Sequence, residues 1–212
     1  MFKKVFVVGV AAFGLSMGMT LSAAAHNVLN VWEGPAGQLF PMKLNVNHGC
    51  KGSPVVGLRL QIPDGVVDAK AGHSEHWTVE NEMRQLDEPI MMHGRPVTEV
   101  VSEIVWTKKE GSVPADGWAE FDFRMTLPDK PGEIIYFKNI TVCEEGTDGY
   151  IDMPEMVLDV SDPEFPAKAW AFMTATPHPS SFLILRRAAK KQYPWEWSPE
   201  EAVGGPEIAM PE

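Results

Sequence analysis

Trp118-Ala-Glu-Phe-Asp-Phe-Arg-Met-Thr-Leu127 alternates apolar and polar side chains from Ala119 onward. Successive side chains of a strand point to opposite faces, so a period of two puts one face in a core and the other in water. Working outward, Leu39-Phe-Pro-Met-Lys-Leu-Asn-Val46 and Val56-Gly-Leu-Arg-Leu-Gln-Ile62 read as two strands around the polar turn Asn47-His-Gly-Cys-Lys-Gly-Ser-Pro54. Val97 to Trp106 and Glu133-Ile-Ile-Tyr-Phe-Lys-Asn-Ile-Thr-Val142 repeat the pattern. Pro63-Asp-Gly65, Gly111-Ser-Val-Pro-Ala-Asp-Gly117 and Pro128-Asp-Lys-Pro-Gly132 are turn compositions. Short strands at such spacing, with no long segment of period 3.6, predict an all-β fold, an antiparallel β-sandwich. Glu80 to Arg95 is less regular and fits a helical turn or a long loop. Ser181 to Lys191 fits a strand or a short helix, and Tyr193 to Glu212, rich in Pro, Glu and Gly, reads as a poorly ordered tail.

The amino-terminal end carries a different signal. Met1-Phe-Lys-Lys4 is a short basic start, Val5 to Leu21 is almost wholly apolar or small, and Ala23-Ala24-Ala25 fits the small-x-small pattern before a signal-peptidase cut. Residues 1–25 are therefore expected to be a signal peptide, cut after Ala25 with Ala24 as the competing position. The apolar core is short for the ~20 residues of a membrane span. Residues 26–173 are then expected to form the sandwich domain and residues 174–212 a weakly organised carboxy-terminal extension. The chain holds 18 Lys and Arg against 29 Asp and Glu, a formal net charge of −11. That balance argues against nucleic acid or an anionic membrane as partner, and it suits solubility or a cationic ligand.

Two cysteines, Cys50 and Cys143, lie far apart. In an oxidising compartment such a pair is expected to form a disulfide that staples an early strand end to a late one. The alternative is a thiolate metal site, although neither cysteine belongs to a Cys-x-x-Cys pair.

Cleavage after Ala25 would make His26 the first residue. Its α-amine and its imidazole could then chelate one ion, and nitrogen donors favour copper(II) within the divalent first-row series. A free α-amine titrates near ~7.7–8.0 and an imidazole near ~6.5, so proton competition is modest near neutrality and binding is expected to weaken as pH falls.

His26, Pro35-Ala-Gly37, His48-Gly-Cys50 with Gly52-Ser-Pro54, Arg59-Leu-Gln-Ile-Pro-Asp-Gly-Val66, Leu127-Pro-Asp-Lys-Pro-Gly132, Cys143-Glu-Glu-Gly146 and Ile151-Asp-Met-Pro154 form an ordered set. Together they resemble the YcnI-like family of secreted copper-binding proteins, from His26 to about Ala171. The resemblance implies an immunoglobulin- or fibronectin-like sandwich, a copper(II) site on the amino-terminal histidine, and periplasmic or cell-surface copper handling. It also implies a glutamate and a tryptophan beside that histidine, and here the sequence departs. The glutamate position falls within His48-Gly-Cys50 and the tryptophan position on Tyr150. His48 would supply a second imidazole in place of the carboxylate, or simply a hydrogen-bonded structural group. Tyr150 would be an aromatic wall, a phenol donor, or a buried structural residue. Many relatives carry a carboxy-terminal membrane anchor that this chain is expected to lack, which suggests a free periplasmic or secreted form.

The other histidines are weaker candidates. His73-Ser-Glu-His76 pairs two imidazoles around a carboxylate, and Met91-Met92-His93 sets thioethers beside an imidazole, a combination suited to copper(I) or to packing on a sandwich edge. His178, between prolines, is uninformative. No nucleophile elbow, phosphate loop, dinucleotide fingerprint or His-Glu-x-x-His occurs, so no enzyme is expected, although copper on an amino-terminal histidine can support oxidative chemistry. The expected function is copper transport or buffering anchored on His26, with another periplasmic copper-handling protein as the possible partner. The alternative is a metal-free interaction domain on the same sandwich.

Overall fold

A computed structural model describes residues 26–92 and 94–198. The expected signal peptide, His93 and the end of the expected tail, residues 199–212, lie outside the described residues. In chain order the strands are β1 (Val28–Leu29), β2 (Glu33–Pro35), β3 (Leu39–Val46), β4 (Val55–Gln61), β5 (Lys70–Ala71), β6 (Trp77–Met92), β7 (Arg95–Lys108), β8 (Ala119–Thr126), β9 (Ile134–Phe137), β10 (Asn139–Cys143), β11 (Thr147–Tyr150) and β12 (Ser181–Arg186). Among the described residues one α-helix, α1 (Phe165–Ala175), precedes β12, and a 3-10 turn (Pro194–Glu196) follows it.

The strands form a four-stranded sheet in the order β1-β3-β8-β5 and a five-stranded sheet in the order β11-β10-β4-β7-β6. Every pairing within these two sheets is antiparallel. The alternation that opens the sequence reading is the alternation of burial in β8, where Ala119, Phe121, Phe123 and Met125 point inward. Met42, Leu44 and Val46 of β3 join them, and Leu58, Leu60, Ile104 and Trp106 face them from the second sheet. Phe121 spans the interface, its ring centroid 5.5 Å from that of Trp106 and 4.7 Å from that of Trp77. Each of these large side chains contributes about 1.5–3 kcal/mol by leaving water, which makes this interface the main stabilising element.

A third sheet, ordered β2-β12-β9, closes one side and contains a parallel pair, β2 with β12. Its central strand corrects the sequence reading: β12 lies in the extension expected to be weakly organised, yet Leu183 and Leu185 are fully buried in the sandwich core. Phe182 and Ile184 face the other way and pack with Leu158 and with Phe172 of α1. Both faces of β12 are covered, so Ser181-Phe-Leu-Ile-Leu is a continuous run rather than an alternation, and periodicity alone could not separate strand from helix. α1 itself was hidden because its apolar residues are spread around the helix, with Phe172 its one buried residue. Pro166 suits its first turn.

Two further departures have physical causes. The single strand expected over Glu133–Val142 is two, β9 pairing with β12 and β10 pairing with β4 and β11, because the chain passes from one sheet to another at Lys138. Glu80 to Arg95, expected as a helical turn or loop, belongs to a long hairpin of β6 and β7 paired from Trp77↔Lys108 to Met92↔Arg95. Register shifts after Glu82 and Gln85 and solvent on both faces of the arm remove the alternation that would have announced it.

Candidate functional site

The expected disulfide is formed: Cys50 and Cys143 are bonded, and both are buried. It ties the β3–β4 turn to the end of β10. Gly49 shapes that turn, since a Cβ there would lie 1.9 Å from the Ser53 carbonyl oxygen, and Gly52 takes a positive φ of 90°. His48 precedes this tight corner and is thereby held over the end of β11.

His26 arrives beside His48 through backbone anchors. Asn47 Nδ2 donates to the His26 carbonyl at 2.8 Å. The next residue, Asn27, is fully buried, and its amide nitrogen donates to Asn139 Oδ1 at 2.7 Å and to Thr141 Oγ1 at 2.8 Å. Ser181 Oγ of β12 donates to the Asn27 carbonyl at 2.7 Å. Asn139 is the register partner of Tyr150, so locking Asn27 onto β10 sets His26 next to the Tyr150 ring.

The rings of His26 and His48 meet Tyr150 edge to face, with centroids 6.3 and 6.5 Å from it. His48 Nδ1 lies 2.8 Å from the Gly49 carbonyl oxygen, which can only accept, so Nδ1 carries the proton. In the neutral ring Nε2 then carries the lone pair, and the Tyr150 hydroxyl 3.2 Å away is placed to donate to it. Burial pushes the His26 imidazole below its ordinary pKa; a contact with the Met173 backbone opposes this, and the neighbouring His178 and His48 reinforce it. That shift favours the neutral ring, the form a metal requires. Burial, helped by Asp148, pushes the Tyr150 phenol up to about 12, so it enters the site as a neutral hydroxyl.

A residue that sequence reasoning passed over completes the group. His178, on the connection between α1 and β12, sets its ring 5.9 Å from Tyr150, and its Nδ1 lies 3.5 Å from Asp148 Oδ1. The structure therefore gathers His26, His48, Tyr150 and His178 from four separate segments. Among the described residues no three His, Cys, Asp or Glu side chains form a group that could hold a metal ion. The group offers imidazoles and a hydroxyl, and a cut after Ala25 would add an amine at His26; these are donor types that copper(II) accepts. His73 and His76 do not join it. They lie on the connection from β5, the opposite edge of its sheet from β1, to β6, and Met91 is exposed near the hairpin end.

A family model described as "Domain of unknown function (DUF1775)" matches residues 26–171. No curated protein matches. Among solved structures, an uncharacterized protein from Nocardia farcinica, described as having an immunoglobulin-like fold, is 17% identical with a TM-score of 0.52, over 76% of this chain and 98% of that one. A putative membrane anchored protein from Corynebacterium diphtheriae is 10% identical with a TM-score of 0.37, over 68% of this chain and 36% of that one, and adds nothing to the assignment. The first likeness bears out the immunoglobulin-like sandwich. The family model begins at His26 and takes in both cysteines, His48 and Tyr150, and the chain belongs to the DUF1775 family, the domain family to which YcnI belongs.

Proposed function

We propose that this is an exported copper-binding protein that carries or buffers copper(II), with the metal anchored on His26 once residues 1–25 are removed. The observation that carries the reading is the meeting of the His26 and His48 rings on one aromatic side chain, with His48 Nδ1 turned to the Gly49 carbonyl and Nε2 facing the Tyr150 hydroxyl. A bidentate His26 plus His48 Nε2 supplies three nitrogens, a set that copper(II) favours over the other divalent first-row ions. The buried disulfide accords with an oxidising compartment outside the cytoplasm. Among the described residues no helix is long and apolar enough to cross a membrane.

The test is uptake of copper(II) by protein beginning at His26, compared with protein carrying one extra glycine before it. The expected result is one equivalent bound by the first, with affinity lowered at least about a hundredfold in the second, since the extra residue converts the His26 amine to an amide. No uptake by the first form refutes the reading.

A second reading is a metal-free interaction domain. It is favoured by the exposed apolar side chains Ile151, Met153, Met156, Val157 and Trp170 close in sequence to Tyr150 and along α1. The same titration separates the two, because a metal-free domain gives no stoichiometric uptake.

A further inference from the structure

We propose that β6 is a self-association edge: two copies of this chain pair antiparallel, β6 against β6, about a two-fold axis through Met83. The inference is independent of the copper reading, because β6 and the strand that carries Tyr150 are opposite edges of the five-stranded sheet.

The edge is long and open. β6 has 16 residues, against two in β1 and β5 and four in β11, the other edges of the two sandwich sheets. A strand edge carries unpaired backbone N–H and C=O groups, and folded proteins guard it by shortness, proline or a bulge. From Trp77 to Gln85 β6 has none of these. The register passes from Glu82↔Glu103 to Met83↔Val101, so the residue left over at that shift is Ser102 of β7. Pro89 and the excess residues of β6 come between Gln85 and Ile90. Every residue from Glu80 to Gln85 is exposed. A two-stranded ribbon is marginally stable by itself, so the arm gains from further strands.

Its side chains match a second copy. About Met83, Glu82 of one copy opposes Arg84 of the other, twice by symmetry, and Asn81 opposes Gln85. In the single chain Glu82 and Arg84 make exposed contacts to Arg59 at 3.1 Å and Asp64 at 3.2 Å, which contribute little and can be exchanged for pairs across the axis. The register on β7 carries the match past the bulge. Ile90 pairs with Val97 and Met92 with Arg95, four and six ladder positions beyond Val101. They therefore come opposite Val79 and Trp77 of the second copy, on the same face as Met83. A groove of about 570 Å³, lined by Ala71, Gly72, Trp77, Val79 and Lys109, lies open there to receive them. Asp87 and Glu88 of the bulge fall near Glu80 of the second copy, a repulsion between exposed groups that salt screens.

A strand of 16 residues per copy is smaller than the ~20–30 residues a side of a standard stable interface, so the association is reversible. The experiment is sedimentation equilibrium of the chain beginning at His26 from about 1 to about 500 μM, with oxidative cross-linking of cysteine variants. The apparent mass should rise with concentration toward that of two chains. Arg84→Glu should weaken association at least about tenfold, and combining it with Glu82→Arg should restore the pairing. Met83→Cys, on the axis, should give a covalent dimer on mild oxidation, whereas Glu80→Cys, displaced from the axis, should not. Thermal melting verifies that each variant is folded, and the cross-linking arm serves should a charge variant melt early. A monomer at every concentration overturns the proposal. So does a dimer that folded Arg84→Glu leaves unchanged, or one in which Met83→Cys does not cross-link, since either places the contact on another surface.

Discussion

Replacing Cys50 and Cys143 together by alanine removes a cross-link between residues separated by 93 positions. In the loop-entropy relation, a closed loop of that length restricts the unfolded chain by about 4.7 kcal/mol at 25 °C. Domains of this size are held by about 5–15 kcal/mol in total, so the loss takes a third or more of the stability. The predicted assay result is a fall of about 2–3 M in the urea midpoint, for a slope near ~2 kcal/mol/M, together with a steeper slope because the freed unfolded chain exposes more surface. The site should follow the scaffold. His48 sits two residues before Cys50 and Tyr150 seven after Cys143, so the same bond aligns the turn that carries one with the strand that carries the other. Copper affinity in the variant should therefore fall even under conditions where it is fully folded. A variant within about 1 kcal/mol of the parent would refute the argument, since it would mean that the β3–β4 turn and the end of β10 are held together by packing alone.

Tyr150→Phe retains the ring and deletes the hydroxyl that donates to His48 Nε2. Copper affinity should rise by about 2- to 10-fold, the equivalent of one hydrogen bond no longer broken on loading; a fall would show the phenol oxygen to be a ligand itself. Leu185→Ala, in the strand contributed by the extension, should cost about 2–5 kcal/mol in chemical unfolding because the side chain is wholly buried between sheets. A cost under about 1 kcal/mol would mean that β12 is dispensable. Burial pushes Tyr136, packed against Phe172 and Phe182, up to about 12 from 10.0. Its folded pKa is raised, so its contribution to stability is complete below pH 10 and is lost as pH climbs toward 12. Tyr136→Phe should flatten that alkaline loss in unfolding titrations followed at pH 9 to about 12, and an unchanged profile would contradict it.

Much of the sandwich was legible because burial on one face writes itself as alternation. β3, β4, β7 and β8 each lie within a residue or two of the expected stretch. The same logic explains what was illegible. β12 is covered on both faces and the β6–β7 arm on neither, so both lose the period of two, and α1 has no apolar stripe. The pairing of Cys50 with Cys143 needed only their number and an oxidising setting, as they are the chain's two cysteines.

At the site, the sequence by itself named the candidate residues: His26 after a run of small residues, His48 beside the disulfide turn, and Tyr150 before Ile151-Asp-Met-Pro154. Their proximity, the proton on His48 Nδ1 and the engagement of Nε2 by Tyr150 were decided only by tertiary structure. His178 shows the difference most clearly. Nothing in its neighbours marks it, and it reaches Tyr150 because β12 is drawn into the core and Asp152 clamps the chain just before that strand. Local pattern records which face of an element is wet; which distant segments share a point depends on long-range packing and on hydrogen bonds buried away from water.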